Sequence, residues 1–316
     1  MSKMKTFLTK KNGLILLKAL ITCVFFVLIY NKVDINSTVD LLRNVDTLFV
    51  YFALIVAILE VLIATVRWVI ILNRLEIVIP YIVALRYLWM GVFFNQALPS
   101  SIGGDALRGY FLCKHEGCSV TDATIGVLLD RIFGILGLVI LIVSASSMLF
   151  ELIADPIIRW GLFFSVVGAF GVITMVMAAD LMPNKWMHWK IMQGILIFST
   201  TGRRVIFSYY GLVSIALSLV IQLSFVFAVW LLANGMGLNI ELIDVFLVIP
   251  ITNLLMALPI SIAGWGVREG VMITGLGYLG VNPEAALALS ILYGLLMLVV
   301  ALPGLLDWLW SKIFKF

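Results

Sequence analysis

The stretch FNQALPSSIGGDALR, residues 94–108, interrupts an apolar segment that runs from residue 81 to residue 115. Proline disfavours helix at the residue before it and lacks a backbone N–H donor. The serine and glycine pairs that follow it favour the start of a new helix and a close approach to the backbone. The stretch therefore predicts two short helices, one on each side of the break.

A second stretch, ALPISIAGWGVR at residues 257–268, repeats the first in the apolar segment 244–280. Ala, Leu, Pro, Ser, Ile, Gly and Arg recur at the same spacing. Each helical piece is then about 15 residues long, which is short for a membrane span of about 20 residues and suits a re-entrant hairpin. The alternative keeps 81–98 and 244–262 as tilted full spans.

The remainder of the chain has the composition of a membrane protein. Of its 316 residues, 63% are hydrophobic and 12% are charged, against about 45–50% and about 25% in soluble domains. Six further stretches are apolar enough to span a bilayer, namely 14–31, 48–72, 122–150, 157–179, 206–233 and 284–306. We predict an all-α polytopic membrane protein with about six full spans and two broken or re-entrant hairpins.

The charges between these segments predict an orientation, because Lys and Arg accumulate on the cytoplasmic side. With two hairpins in the count, every strongly basic segment falls inside, including Lys114 and Arg203. The acidic loops at Asp155 and Glu241 fall outside. We therefore expect an inner-membrane protein whose N- and C-termini are both cytoplasmic.

This orientation also predicts an internal repeat. The first hairpin enters from the cytoplasm and the second from outside, which is typical of an inverted-topology repeat with its substrate at the broken helices. The repeat units would be 48–150 and 206–306, unless both breaks are ordinary Pro-kinked helices. Residues 183–204 form no span and are expected to be a helix on the inner surface or a plain loop.

The two breaks have the chemistry of an anion site. A helix N-terminus presents N–H donors and the positive end of a dipole, and an arginine follows each serine by seven residues, on the same face. Each break is thus suited to a phosphate or carboxylate. The candidate substrate-binding residues are Ser101, Gly103, Gly104, Asp105, Arg108, Ser261, Gly264, Arg268 and Glu269.

Ionisable residues also lie within the predicted spans. Glu60, Asp130 and Arg131 are candidate coupling or pathway residues, since a charge at mid-bilayer costs about 2.5–3.5 kcal/mol on insertion scales. The alternative is a structural ion pair. The sequence has no P-loop motif for ATP, so uphill transport would draw on a gradient. Glu60, Asp130 and Glu269 would then be the candidate proton carriers.

The sequence lacks the motifs of several other functional classes. It contains neither the His/Glu metalloprotease motif nor the G-x-S-x-G elbow, and we predict no catalytic residues, no cofactor and no nucleic-acid partner. The patch between Cys113 and Cys118 lacks a fourth metal ligand nearby, because the only other histidine is His188. We read this patch as a polar loop and predict no metal site.

Three motifs in this order resemble one family, namely Phe94–Arg108, Val127–Arg131 and Pro259–Glu269. The chain resembles the membrane region of lysylphosphatidylglycerol synthase/flippase and its stand-alone homologues. Relatives usually have Glu-Arg where this chain has Asp130-Arg131. The resemblance implies lipid translocation. The chain shows no counterpart of the aminoacyl-transfer domain, so we expect no synthesis of lysyl-lipid.

The expected function is that of a lipid flippase or scramblase for an anionic lipid or lipid-linked headgroup. One alternative is an intramembrane lipid-phosphate enzyme similar to undecaprenyl-diphosphate phosphatase, although the acidic pair of that family has no clear equivalent here. Another alternative is a transporter of small soluble anions. A separate glycosyltransferase or aminoacyl-transferase partner and a homo-oligomeric state both stay open.

Overall fold

The computed structural model describes residues 33–97, 103–153, 155–181, 190–257 and 264–313, and within these ranges the chain is helical and has no strand. The helices are α1 (Ile35–Arg43), α2 (Thr47–Arg74), α3 (Tyr81–Ala97), α4 (Gly103–Glu116), α5 (Val120–Ser144), α6 (Ser146–Leu152), α7 (Pro156–Met177), α8 (Lys190–Ile206), α9 (Tyr209–Gly235), α10 (Leu242–Ala257), α11 (Val267–Tyr278) and α12 (Pro283–Ile313), with a short 3-10 helix at Ala179–Leu181.

Five helices of the described residues are long and apolar enough to cross a membrane. They are Thr47–Arg74, Val120–Ser144, Arg159–Met177, Tyr209–Gly235 and Pro283–Ser311. They correspond to five of the six predicted spans, and the remaining one, 14–31, lies outside the described residues. The prediction of an all-α polytopic membrane protein is confirmed.

Both Pro-containing segments are divided into shorter helices. The first consists of α3 with 17 residues and α4 with 14, and the second of α10 with 16 and α11 with 12. The two breaks themselves, 98–102 and 258–263, lie outside the described residues, and Ser101 and Ser261 lie there with them. The predicted short helices are present, whereas their re-entrant placement stays a prediction.

The predicted span 122–150 is wrong in its extent. Helix α5 ends at Ser144, and Ser146–Leu152 forms the separate helix α6. The Ser144 hydroxyl donates to the Leu141 carbonyl at 2.7 Å. A serine hydroxyl that donates to a backbone carbonyl competes with the hydrogen bonds of the helix, and this favours a helix end. The small polar run at residues 144–147 ends the helix before the apolar pattern does.

Helix α8 covers most of the segment that we assigned to the inner membrane surface, whose first residues, 183–189, lie outside the described ranges. It is tied to the end of α7 by the Ser199 hydroxyl, which donates to the Met177 carbonyl at 2.6 Å. Arg203 pairs with Asp180 and lowers the pKa of that carboxyl. The position of α8 relative to a membrane stays a prediction.

The chain divides into two compact units. Unit 1 comprises Met1–Ala57, Met90–Gly104 and Val226–Phe316, and unit 2 comprises Ile58–Trp89 and Asp105–Phe225. In unit 1, helix α12 packs against α11 and α1. In unit 2, a buried apolar core includes Ile71, Leu129 and Phe133. The repeat units 48–150 and 206–306 stay a prediction.

Candidate functional site

Asp130 is the centre of a buried cluster of charges in unit 2. Its Oδ1 accepts a hydrogen bond from Arg67 Nε at 2.8 Å, and its Oδ2 accepts one from Arg108 Nη2 at 2.9 Å. All three residues are less than 10% exposed. Because a buried carboxylate is costly unless it is paired and hydrogen-bonded, each of its oxygens has a guanidinium donor.

A second aspartate extends the cluster. Arg108 Nε lies 3.2 Å from Asp105 Oδ1, and Arg131 Nε donates to Asp105 Oδ2. Together these side chains form a continuous set, here called the arginine–aspartate network, made of Arg67, Asp105, Arg108, Asp130 and Arg131. These contacts join three guanidinium groups to two carboxylates.

Two neutral residues hold the network in place. The Ser218 hydroxyl accepts a hydrogen bond from Arg67 Nη1 at 2.8 Å and donates to the Ser214 carbonyl at 2.8 Å. The Trp68 ring lies under the Arg108 guanidinium, 4.8 Å from its centroid to Cζ. Both contacts were missed by the sequence analysis. The four-residue spacing of Ser214, Ser218 and Gln222, which places them on one face of α9, was the available signal.

Several buried polar atoms of unit 2 have no hydrogen-bond partner among the described residues. They are Glu60 Oε2, Trp68 Nε1, Arg108 Nε, Ser214 Oγ and Gln222 Oε1. Leaving such an atom unsatisfied costs about 1–3 kcal/mol. Two of the five, Arg108 and Trp68, belong to the network or contact it directly. The network therefore has polar donors beside it that no described residue satisfies.

A second, separate charged cluster lies in unit 1. Glu269 Oε1 accepts hydrogen bonds from Arg268 Nη2 at 2.6 Å and Nε at 3.0 Å, and from the Ser290 hydroxyl at 3.3 Å. Its Oε2 accepts one from the Gly266 N–H at 2.5 Å. Both charged residues are buried. Four donors therefore stabilise the Glu269 carboxylate, and the pair is neutral.

Glycines make room for this second cluster. Gly264 and Gly266 have φ of +81° and +86°, a conformation that L side chains rarely adopt, and they form the turn into α11. A Cβ on Gly294 would collide with the Arg268 guanidinium. The absence of a side chain there lets the guanidinium lie against α12. The sequence analysis missed Gly294.

The structure brings half of the twelve predicted site residues into these two clusters. Asp105, Arg108, Asp130 and Arg131 belong to the arginine–aspartate network, while Arg268 and Glu269 form the second cluster. Glu60 makes no hydrogen bond within the network. It is 6% exposed and lies seven residues before Arg67, on the same face of α2.

One predicted anion-binding glycine, Gly104, has a packing role in the structure. The Gly104 N–H donates to Asn95 Oδ1 at 2.9 Å, and a Cβ on Gly104 would collide with the Gly91 carbonyl. Gly103 is the first residue of α4. The donor of Gly104 is therefore already used, and the missing side chain permits close packing of α3 against α4.

The cysteine patch shows no metal-binding geometry. Among the residues that the structure describes, no group of three or more His, Cys, Asp or Glu side chains could hold a metal ion. Cys113 Sγ lies 3.8 Å from Cys118 Sγ. Burial, together with the neighbouring thiol, raises the pKa of Cys118 to about 12. His115 stacks instead on Phe111 and Tyr87.

These features define a multi-pass helical membrane protein with buried clusters of arginine and carboxylate. The chain belongs to the family described as the lysylphosphatidylglycerol synthase TM region, which matches residues 15–304. The resemblance inferred from the three sequence motifs is thereby confirmed.

The chain is also similar to curated proteins of archaea. A UPF0104 membrane protein of Methanothermobacter thermautotrophicus is 23% identical over 305 residues, which cover 89% of each chain. Another, of Methanocaldococcus jannaschii, is 24% identical over 337 residues, covering 99% of this chain and 97% of the relative. A third, of Pyrococcus horikoshii, is 26% identical over 113 residues, covering 35% and 34%. Their names state no substrate.

Proposed function

We propose that this chain is a lipid transporter that carries an anionic lipid, or an anionic headgroup linked to a lipid, across the cell membrane. The observation that supports this most directly is the buried Arg108, whose Nε has no hydrogen-bond partner among the described residues although it lies within the arginine–aspartate network. A phosphodiester headgroup carries one negative charge and can accept a hydrogen bond from this donor. Such a group cannot cross hydrocarbon unaided, because each unpaired polar group costs several kcal/mol.

Arg108 is the residue best suited to bind the phosphate. Its Nη2 is held by Asp130, while its Nε has only the 3.2 Å approach of Asp105 without hydrogen-bond geometry. A phosphate oxygen can take the place of Asp105 beside Arg108 while Asp105 keeps its bond to Arg131. No bare charge is then exposed to hydrocarbon at any stage of the exchange, and this limits its cost.

The guanidinium group also suits the ligand in shape. Arginine presents a planar fork of donors that matches phosphate oxygens in pairs, whereas lysine offers a point charge. Arg268 in the second cluster would bind the same phosphate at another stage of its passage, in exchange for Glu269. The name of the family refers to the synthesis of an aminoacylated phospholipid, which favours a lipid over a small soluble anion as the substrate.

The proposal is tested with purified protein in liposomes. A fluorescent phosphatidylglycerol and a fluorescent phosphatidylcholine are compared by the rate at which an impermeant reductant bleaches them. We expect bleaching of the inner-leaflet anionic lipid to be faster than in protein-free liposomes, and the R108Q variant to return it to that background. The exposed Arg204 on α8 supplies the matched control R204Q, which should keep the wild-type rate.

Two further measurements separate lipid transport from the two alternative functions. Release of inorganic phosphate from a lipid diphosphate, with no change in lipid distribution, would indicate a lipid-phosphate enzyme. Uptake of a water-soluble organic phosphate into liposomes of purely zwitterionic lipid would indicate a transporter of small anions. Either result, combined with background bleaching of phosphatidylglycerol, would overturn the proposal.

A further inference from the structure

A cavity of about 330 Å³ lies in unit 2, where the end of α5, helix α6 and the first half of α7 meet. Its size falls within the range of roughly 300–1,000 Å³ that is typical of ligand sites. The lining is apolar apart from Ser146 and a single cation, Arg159. None of these residues belongs to the arginine–aspartate network.

The cavity opens onto an exposed apolar surface of unit 2. Three of its lining residues, Val143, Phe150 and Phe163, are 55%, 49% and 45% exposed, whereas Ile142 and Leu149 are buried. Val143 and Phe163 lie on helices that are long and apolar enough to cross a membrane, where we expect exposed side chains to contact lipid. An acyl chain of the bilayer can therefore enter from the side.

On α7, the lining of the cavity is charged at one end and apolar along the rest of the helix. Its lining residues, Arg159, Leu162, Phe163, Val166 and Val167, follow the three- and four-residue spacing of one helix face. They extend about 12 Å along the helix axis, and Arg159 is the residue nearest the N-terminus of α7. A cation at one end of an apolar stripe matches a molecule with an anionic head and a hydrocarbon tail.

Only one N–H group of Arg159 donates a hydrogen bond in the described part of the chain. Its Nε donates to the Ile153 carbonyl, and no carboxylate pairs with it in the described part of the chain. The nearest acidic residue in sequence, Asp155, caps α7 by accepting a hydrogen bond from the Ile157 N–H at 2.8 Å. The Nη groups of Arg159 thus remain available for an anion.

We propose that this cavity binds one anionic glycerophospholipid, with part of an acyl chain in the cavity and the phosphate on Arg159. The depth is consistent with this, because Arg159 follows the acidic turn that the sequence places at a membrane surface, beside the exposed Trp160. Tryptophan is enriched at that level of the bilayer. The site is a resident-lipid site and does not depend on transport.

The test is lipid binding by the full chain, measured by native mass spectrometry with phosphatidylglycerol and phosphatidylcholine of identical acyl chains. Wild type should bind one phosphatidylglycerol in preference to phosphatidylcholine. R159Q should lose that preference by about tenfold or more, the value expected for hydrogen bonds to a charged group, with phosphatidylcholine binding unchanged. V166W should weaken the binding of both lipids because it fills the cavity.

Three controls make the outcome decisive. R204Q should bind both lipids as wild type does. S146F fills the cavity from α6 and replaces V166W if that variant does not fold. Because the arginine–aspartate network is itself proposed to bind an anionic lipid, R159Q is also measured in an R108Q background, where it should cause the same further loss of preference. An unchanged preference in R159Q, or an effect of R159Q that is absent in the R108Q background, would overturn the inference.

Discussion

Arg108 donates through Nη2 to Oδ2 of Asp130 at 2.9 Å, and both side chains are almost completely buried. The other oxygen of the same carboxylate accepts from Arg67. Two arginines from different helices thus depend on one aspartate, and any anion that binds Arg108 does so beside this carboxylate.

Replacement of Ser218 tests the support of Arg67. The S218A variant removes the hydroxyl that accepts from Arg67 Nη1. A hydrogen bond to a charged group contributes about 1.5–3 kcal/mol, so we expect a loss of stability of that order and slower lipid transport. Thermal unfolding and the bleaching assay measure the two effects.

The half-buried Ser224 on the same helix provides the control for that prediction. Its hydroxyl donates only to the Val220 carbonyl one turn earlier, so S224A should leave stability and transport close to wild type. Equal values for S218A and S224A would show that the Ser218 hydroxyl does not stabilise Arg67.

Replacement of Gly294 tests the packing of the second cluster. In G294A the new Cβ would collide with the Arg268 guanidinium, and overpacking of a buried site typically costs about 1–3 kcal/mol. We expect lower thermal stability and reduced transport. The matched variant is G277A on α11, where a Cβ meets no atom within 4 Å, and it should unfold at the wild-type temperature. A fully stable G294A would mean that Arg268 has room to move.

Glu60 is the carboxylate best placed to exchange a proton. Its Oε2 has no hydrogen-bond partner in the described chain, so a proton can bind there without breaking an ion pair. Asp130 and Glu269 instead accept hydrogen bonds from arginines. We expect E60Q to fold and to transport lipid at a rate that no longer responds to an imposed pH gradient. A response equal to that of wild type would make Glu60 a structural residue.

The orientation in the membrane is tested with single cysteines in a variant that lacks the three native ones. Cysteines at Lys114 and Arg204 should react with an impermeant thiol reagent only after cell lysis, and cysteines at Asp155 and Glu241 should react on intact cells. Arg204 is used because the neighbouring Arg203 pairs with Asp180. Labelling at position 114 from outside would contradict the first hairpin and the inverted repeat.

Local chemistry explains which parts of the fold the sequence could predict. Proline and the following glycines divide 81–115 and 244–280 into short helices, as the structure has them. The end of α5 at Ser144 was missed because the apolar pattern continues through Ala145 to Phe150. At that position the Ser144 hydroxyl bonds to the Leu141 carbonyl, and two further serines, Ser146 and Ser147, follow.

For the candidate site, the sequence could predict which charged residues take part but not which residues they contact. Arg108 and Arg268 stand out because each follows a serine in a repeated motif, and a buried charge needs a partner. Their neighbours Ser218 and Gly294 do not stand out, because Ser218 meets Arg67 across 151 residues and Gly294 acts through its missing side chain. Such contacts depend on tertiary packing, which no local pattern encodes.

Conservative replacement of the two arginines tests the central claim, that they handle the phosphate of a lipid in transit. R108K and R268K keep the charge but lose the planar fork. Each should lose most of the transport of phosphatidylglycerol. The losses should be non-additive in the double variant because both residues act on one route.

The most direct measurement is the bleaching rate of phosphatidylglycerol relative to phosphatidylcholine in liposomes that contain wild type, R108K, R268K or the control R204K. The account predicts a fast, anionic-selective rate for wild type and R204K, and near-background rates for the two site variants. Wild-type rates in both R108K and R268K would contradict it, and an equal loss in R204K would show that the assay reports only general damage.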